Sequence, residues 1–181
     1  MARFTSFWLF PLISAALLLA NAPDSYRTLP YLFLSGLLMW TVMEYIFHRV
    51  LLHHRFRGPF LHKVIASAHM RHHATPGDAN HILVYPSFAL VFSTIIYASL
   101  ALLTGSGYAT TGIISGIWAG FLYYEAVHYR VHVSLKSSGL LQRQRRAHFH
   151  HHFADSSTCF GVTSPIWDYI FGTGPTSGRS S

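Results

Sequence analysis

Charge is what this sequence has least of. Asp, Glu, Lys and Arg together make up 10% of its 181 residues, where a soluble domain carries about 25%. With 51% hydrophobic residues and a mean hydropathy of +0.31, the scarcity argues for a membrane protein. It also excludes disorder, which needs low hydrophobicity and high charge. The one cysteine, Cys159, excludes an internal disulfide framework and a thiolate-only metal site. There is no HExxH string, which argues against an intramembrane zinc protease. Glu-x-x-His occurs once, at Glu125 and His128, with no second copy for a carboxylate-rich di-iron bundle. No internal repeat or low-complexity tract is present, and the length allows a single domain spanning residues 1–181.

What the chain does have is apolar length. Four stretches run roughly from Phe7 to Ala20, Tyr31 to Phe47, Ile82 to Thr104 and Tyr108 to Val127. A helix crossing a membrane needs about 20 apolar residues. The third and fourth meet that length, the second does so with Leu29 and Pro30, and the first is short and contains Pro11. The expected fold is therefore all-α, an integral membrane four-helix transmembrane bundle with a cytoplasmic histidine-rich helical cap. Residues 1–40 read as an N-terminal membrane anchor region, 41–173 as a histidine-motif core and 174–181 as a flexible tail. Ala20-Asn21-Ala22 also fits a signal-peptide cleavage site, but a retained anchor is the favoured reading.

Of the 13 basic residues, Arg27 alone falls between the first two stretches and none falls between the last two. Placing both termini in the cytoplasm puts every other Lys and Arg inside. The net charge of +7 then marks topology, and no nucleic-acid partner is expected. The location is a bacterial inner membrane or the endoplasmic reticulum. Gly105-Ser106-Gly107 reads as a tight turn. Gly112, Gly116 and Gly120 form a doubled small-xxx-small stripe on the fourth stretch, suited to packing within the bundle or to a homodimer.

The second abundance is histidine, 14 against 6 carboxylates. Ten fall into four clusters: His48 and His53; His69, His72 and His73; His128 and His132; His148, His151 and His152. On a helix, positions i, i+3 and i+4 share a face. The last three clusters therefore each present their imidazoles on one side. His48 and His53, five apart, do not share a face on a straight helix; they need a bend there, or else serve different centres. All four clusters lie at the expected cytoplasmic ends. Neutral imidazoles that bind metal fit this crowding better than mutually repelling cations. Ten rings suit two ions at four or five each. An all-histidine dinuclear iron site fits best, although imidazole also accepts zinc.

The order HxxxxH, HxxHH, HxxxH, HxxHH resembles the fatty acid hydroxylase superfamily, which includes sterol desaturases and carotenoid hydroxylases. Glu44-Tyr45-Ile46-Phe47-His48-Arg49 is similar to the first motif of the fatty acid 2-hydroxylases. The three residues between His128 and His132 match that group rather than the carotenoid hydroxylases. Phe160 to Thr173, FGVTSPIWDYIFGT, looks like the family's C-terminal ending. The resemblance covers about residues 40 to 173. It implies that His48, His53, His69, His72, His73, His128, His132, His148, His151 and His152 are metal ligands. The metal centre itself is then the catalyst, with no separate acid or base. It implies two iron ions (zinc in a purified protein), O2 and an external electron donor. The expected activity is hydroxylation of a fatty acyl chain, at C2 by analogy, with a lipid or acyl-chain substrate drawn from the bilayer. Eukaryotic relatives often carry a fused cytochrome domain; with no room for one here, a separate redox partner is expected.

Glu44, Glu125, Asp155 and His81 are candidates for orienting the ligating rings. The competing reading pairs Glu44 or Glu125 with Arg49 or Arg130 and leaves Asp155 solvated. His54, His62 and His150 fall outside the ligand pattern. Tyr45, Tyr123, Tyr124, Tyr129, Trp167, Tyr169 and Phe171 read as interfacial aromatics, with Trp167 to Phe171 as an alternative lid. Alternatives to the acyl-chain reading are a sterol or carotenoid hydroxylase or desaturase, a bis-histidine haem carrier and a metal transporter. The last two leave the HxxHH clusters or their single depth unexplained.

Overall fold

A computed structural model describes residues 2–23, 26–53 and 67–175. His54, His62, Arg55, Arg57, Lys63 and the tail from Thr176 lie outside the described residues. A 3-10 turn, Ala2–Thr5, precedes α1 (Ser6–Ala20) and α2 (Leu29–Ile46). A π-helical turn, Phe47–Leu52, continues α2. Then follow α3 (Ser67–Ala74), α4 (Ala79–Ile82), α5 (Pro86–Thr104), α6 (Gly107–Val133), α7 (Gly139–Phe153) and α8 (Ile166–Ile170). The described residues hold helices and no strand. The chain divides into two compact units, one of Met1–Trp40 with Leu83–Tyr123, the other of Thr41–Ile82 with Tyr124–Ser181.

The first unit is built on small residues and aromatics. A Cβ at Gly36 would collide with the Ile113 carbonyl, and one at Gly116 with the Phe33 carbonyl. The backbones of α2 and α6 therefore touch directly, an approach that only glycine permits. Gly112 lies against Leu32 and Gly120 against Trp40. The stripe is filled by α2 of the same chain, so packing within the fold uses the face a homodimer would have needed. Beside it, Phe10 is fully buried, its ring 5.1 Å from Trp118 and edge-on to Phe121 at 5.7 Å. Trp40 also meets Phe121 edge-on, at 5.5 Å. Pro86 at the first turn starts α5, where its missing N–H costs nothing. Gly105, at φ 60°, ends it in the expected tight turn.

Two helical runs are long and apolar enough to cross a membrane: Leu29–Leu52 and Pro86–Thr104. The first expected stretch gives the shorter apolar helix Ser6–Ala20. The fourth gives the 27-residue α6, which differs in character. Its buried positions include Thr110, Thr111, Ser115 and the three stripe glycines. It is close-packed because its side chains are small, and small polar residues lower its hydropathy.

The second unit carries the end of α2 with the π-turn, α3, α4, the end of α6, α7 and α8. All four histidine clusters belong to it. Two of the expected interfacial aromatics are inside this unit: Tyr45 and Tyr124 are buried. Tyr45 accepts a hydrogen bond from Arg49 at 2.7 Å and pairs with the Thr173 hydroxyl at 2.9 Å. Tyr169 and Phe171 are exposed, while Trp167 donates Nε1–H to the Thr41 hydroxyl at 3.0 Å.

Candidate metal centre

Ten imidazoles converge in two groups of five. The first is His48, His53, His69, His73 and His151; the second is His72, His128, His132, His148 and His152. Within each, the ligand atoms lie within 4.8 Å of one another. These are the ten histidines of the four sequence clusters. The two HxxHH clusters are shared between groups. On α3, His69 and His73 enter the first group and His72 the second. On α7, His151 enters the first and His148 and His152 the second. One helix turn, i to i+4, keeps two rings together, and the i+3 ring turns to the other group.

The π-turn explains the odd spacing of the first motif. The His53 N–H bonds to the His48 carbonyl at 3.3 Å, an i to i+5 bond. The wider turn brings residues five apart onto one face. The expected bend is therefore a π-turn, and both rings serve the same group.

The nitrogens crowd together as the ligand atoms of a metal ion could. His69 Nε2 lies 3.1 Å from His48 Nε2, 3.0 Å from His53 Nε2 and 3.1 Å from His73 Nε2. His151 Nε2 lies 2.9 Å from His53 Nε2. In the second group, His148 Nε2 lies 2.8 Å from His132 Nε2 and 3.0 Å from His152 Nε2, and His72 Nε2 lies 3.0 Å from His128 Nε2. A ring nitrogen has one proton or one lone pair, so His69 Nε2 cannot satisfy three neighbours. A central ion can. With metal–nitrogen bonds of about 2.1 Å, ligands at right angles sit about 3.0 Å apart and tetrahedral ones about 3.4 Å. The observed spacings are short enough for one ion to serve each group.

Protonation agrees. Burial, then the neighbouring His151, pushes His53 down to about 4; burial, then His132 and other rings, pushes His72 down to about 3. Both are neutral near pH 7, as ligation requires. In the first group, His48 Nδ1 donates to the Phe160 carbonyl and His151 Nδ1 to the Thr158 carbonyl, each at 2.6 Å. A carbonyl only accepts, so the proton sits on Nδ1 and the Nε2 lone pair faces the group.

The candidate orienting residues have these partners. Glu44, buried, accepts the Thr163 N–H at 2.8 Å and the Thr163 hydroxyl. Asp155 accepts the Ser157 N–H at 2.9 Å and its hydroxyl at 2.6 Å. Its carboxylate closes the turn after α7. His81 pairs with Asp78 at 2.7 Å. Glu125 is fully buried one turn before His128, whose Nδ1 has no hydrogen-bond partner among the described residues. Sequence reasoning missed Asp168 and the carbonyls of Thr158 and Phe160. Asp168 was visible as the one charged residue between Phe160 and Thr173.

Comparison with known proteins shows the chain's family. The fatty acid hydroxylase family model matches residues 33–173. The chain belongs to the fatty acid hydroxylase family. Among its relatives in that family, the ceramide very long chain fatty acid hydroxylase scs7 of Schizosaccharomyces pombe is 31% identical over 145 residues. That match covers 78% of this chain and 41% of the yeast protein. The fatty acid 2-hydroxylase of Rattus norvegicus is 32% identical over 146 residues, covering 78% of this chain and 39% of the rat protein. The dihydroceramide fatty acyl 2-hydroxylase FAH2 of Arabidopsis thaliana is 29% identical over 140 residues, 77% of this chain and 59% of that one. The chain thus spans about two-fifths to three-fifths of these relatives' lengths. Its fold matches the hydroxylase domain visible in full-length scs7p, with a TM-score of 0.86 and 24% identity, covering 100% of this chain and 69% of that one.

Proposed function

We propose that the protein is a membrane-bound, O2-dependent lipid hydroxylase that adds a hydroxyl group to a fatty acyl chain, at C2. The observation that carries this reading is the pair of five-histidine groups with converging Nε2 atoms. The names of the family relatives, several of them 2-hydroxylases, support the position. The ten histidines would hold two metal ions, five rings to each. Iron is the metal proposed, because zinc has no redox chemistry; when bound, it supplies the activation of O2. The protein's share is ligation, orientation and exclusion of water. His48 and His151 are held in one tautomer by backbone carbonyls, and burial keeps the rings neutral. Glu125, buried one turn before His128, and His81 are the candidates to act near the second group.

The four apolar stretches are proposed as membrane spans, with the histidine-rich segments as a cytoplasmic cap and the catalytic core within residues 41–173. The candidate spans Leu29–Leu52 and Pro86–Thr104 and the one-sided distribution of Lys and Arg support this arrangement. An acyl chain would then reach the site from the bilayer, and electrons would arrive from a donor outside residues 33–173. The test is lipid mass spectrometry of cells with and without the gene. A gain of one oxygen on a defined lipid class is the expected result. His72→Ala and His151→Ala should each abolish that product and the metal binding of the altered group; full activity in either variant overturns the assignment.

A further inference from the structure

The segment after α7 does more than end the chain. Asp168 is buried at 1% exposure and fully used. Its Oδ1 accepts the Phe160 N–H and the Thr173 hydroxyl, both at 2.8 Å, and its Oδ2 accepts the Gly161 N–H at 2.8 Å. Its own carbonyl accepts the Thr173 N–H at 2.7 Å, and the Thr173 carbonyl accepts the Cys159 N–H at 2.7 Å. The backbone so held is a tight one. Cys159 has φ 55°, a left-handed conformation that costs a non-glycine residue energy. A Cβ at Gly161 would collide with the Ser164 carbonyl and lie 2.9 Å from Asp168 Oδ2. The product of this turn is two carbonyls, those of Thr158 and Phe160, which receive His151 and His48. Both rings belong to the first group. In the second group, the buried Nδ1 atoms of His72, His128, His148 and His152 have no partner among the described residues.

We infer that Asp168 is a positioning residue for one metal ion of the two: through the 158–161 turn it orients His48 and His151, so the first group holds its ion more tightly than the second. This rests on the dinuclear reading proposed above. The carboxylate is suited to the task because three donors converge on its two oxygens, and a charged acceptor makes each bond stronger than a neutral one would. An amide in its place would turn an NH2 toward one of those donors. Hydrogen-bond partners that orient metal-ligating histidines are worth about 10–100-fold in metal affinity.

The test loads the purified full chain in detergent with zinc, removes the excess and follows release to a chromogenic chelator. The wild type should release two ions per chain in two phases, the slow one from the first group. His132→Ala should remove the fast phase alone. Asp168→Asn should speed the slow phase by about 10–100-fold and leave the fast phase unchanged. A merely structural role would move both phases together. Thr173→Val, which removes one donor and keeps the carboxylate, should speed the slow phase alone by a smaller factor, and it decides the matter if Asp168→Asn does not fold. An unchanged slow phase in a folded Asp168→Asn protein, or in Thr173→Val where that alone folds, overturns the inference while leaving the dinuclear site intact. Equal acceleration of both phases also overturns it. Fewer than two ions in the wild type overturns the dinuclear reading itself, and this inference with it.

Discussion

In the group of His48, His53, His69, His73 and His151, two rings give their outer N–H to carbonyls of one C-terminal turn. In the group of His72, His128, His132, His148 and His152, four buried outer nitrogens meet no partner among the described residues. Both groups have five rings, and both draw on α3 and α7. They differ in what stands behind the rings. Ligand number is set by residues that any sequence displays. Ligand support is set by backbone atoms, and these are invisible until the chain is folded. Two ions with the same ligand count need not be held equally.

The largest effect should come from breaking either group outright. His53→Ala and His128→Ala should each remove one ion per chain and cut hydroxylated product by at least about 100-fold, more than loss of a ring's outer partner costs. Metal analysis paired with lipid mass spectrometry checks this. A variant that loses one ion and keeps its product would overturn the dinuclear assignment.

Acid should come next. The folded protein holds His53 near 4 and His72 near 3, below the ordinary value of about 6.5 for an unfolded chain. Between those limits the unfolded state binds more protons than the folded one, so stability falls as pH falls. Metal-free protein should lose thermal stability from about pH 6.5 downward, and the His72 contribution should extend to lower pH than that of His53. Thermal unfolding of metal-free protein at graded pH checks the direction; stability that rises on acidification contradicts it.

A smaller effect is expected from Glu44→Gln. Its carboxylate takes two bonds from Thr163 in the same C-terminal segment. Losing the charge should cost about 1–3 kcal/mol of stability and loosen the first group's ion but not the second's. Chemical unfolding and metal release measure the two parts. Asp155→Asn should do least. Its carboxylate serves Ser157, and both metal content and thermal midpoint should stay as in the wild type.

The histidines were legible in the sequence because a metal demands both a residue type and a spacing. All ten rings that meet in the fold stand in four short clusters. Their division between two groups was not legible, since i+3 and i+4 both satisfy a helical face, and only the fold separates His72 from His73. Helical character was legible from apolar length. The nature of α6 was not, because close packing through Gly112, Gly116 and Gly120 lowers hydropathy while raising burial. Asp168 escaped because it acts on the metal site only through backbone amides. Asp155 stands three residues after His152, a spacing that suits both a ring partner and a turn, and the fold shows it bonded to Ser157.

The π-turn between Phe47 and Leu52 carries a consequence for comparing sequences. Such a turn is an α-helix holding one residue more than it needs. Arg49, Val50, Leu51 and Leu52 separate His48 from His53 as spacers. A chain shortened by one residue there would wind as ordinary α-helix and present the same two rings to the same group. The number of residues between these histidines can therefore read as three or four without any change in the chemistry it serves, and a search that insists on either count would divide one kind of protein into two.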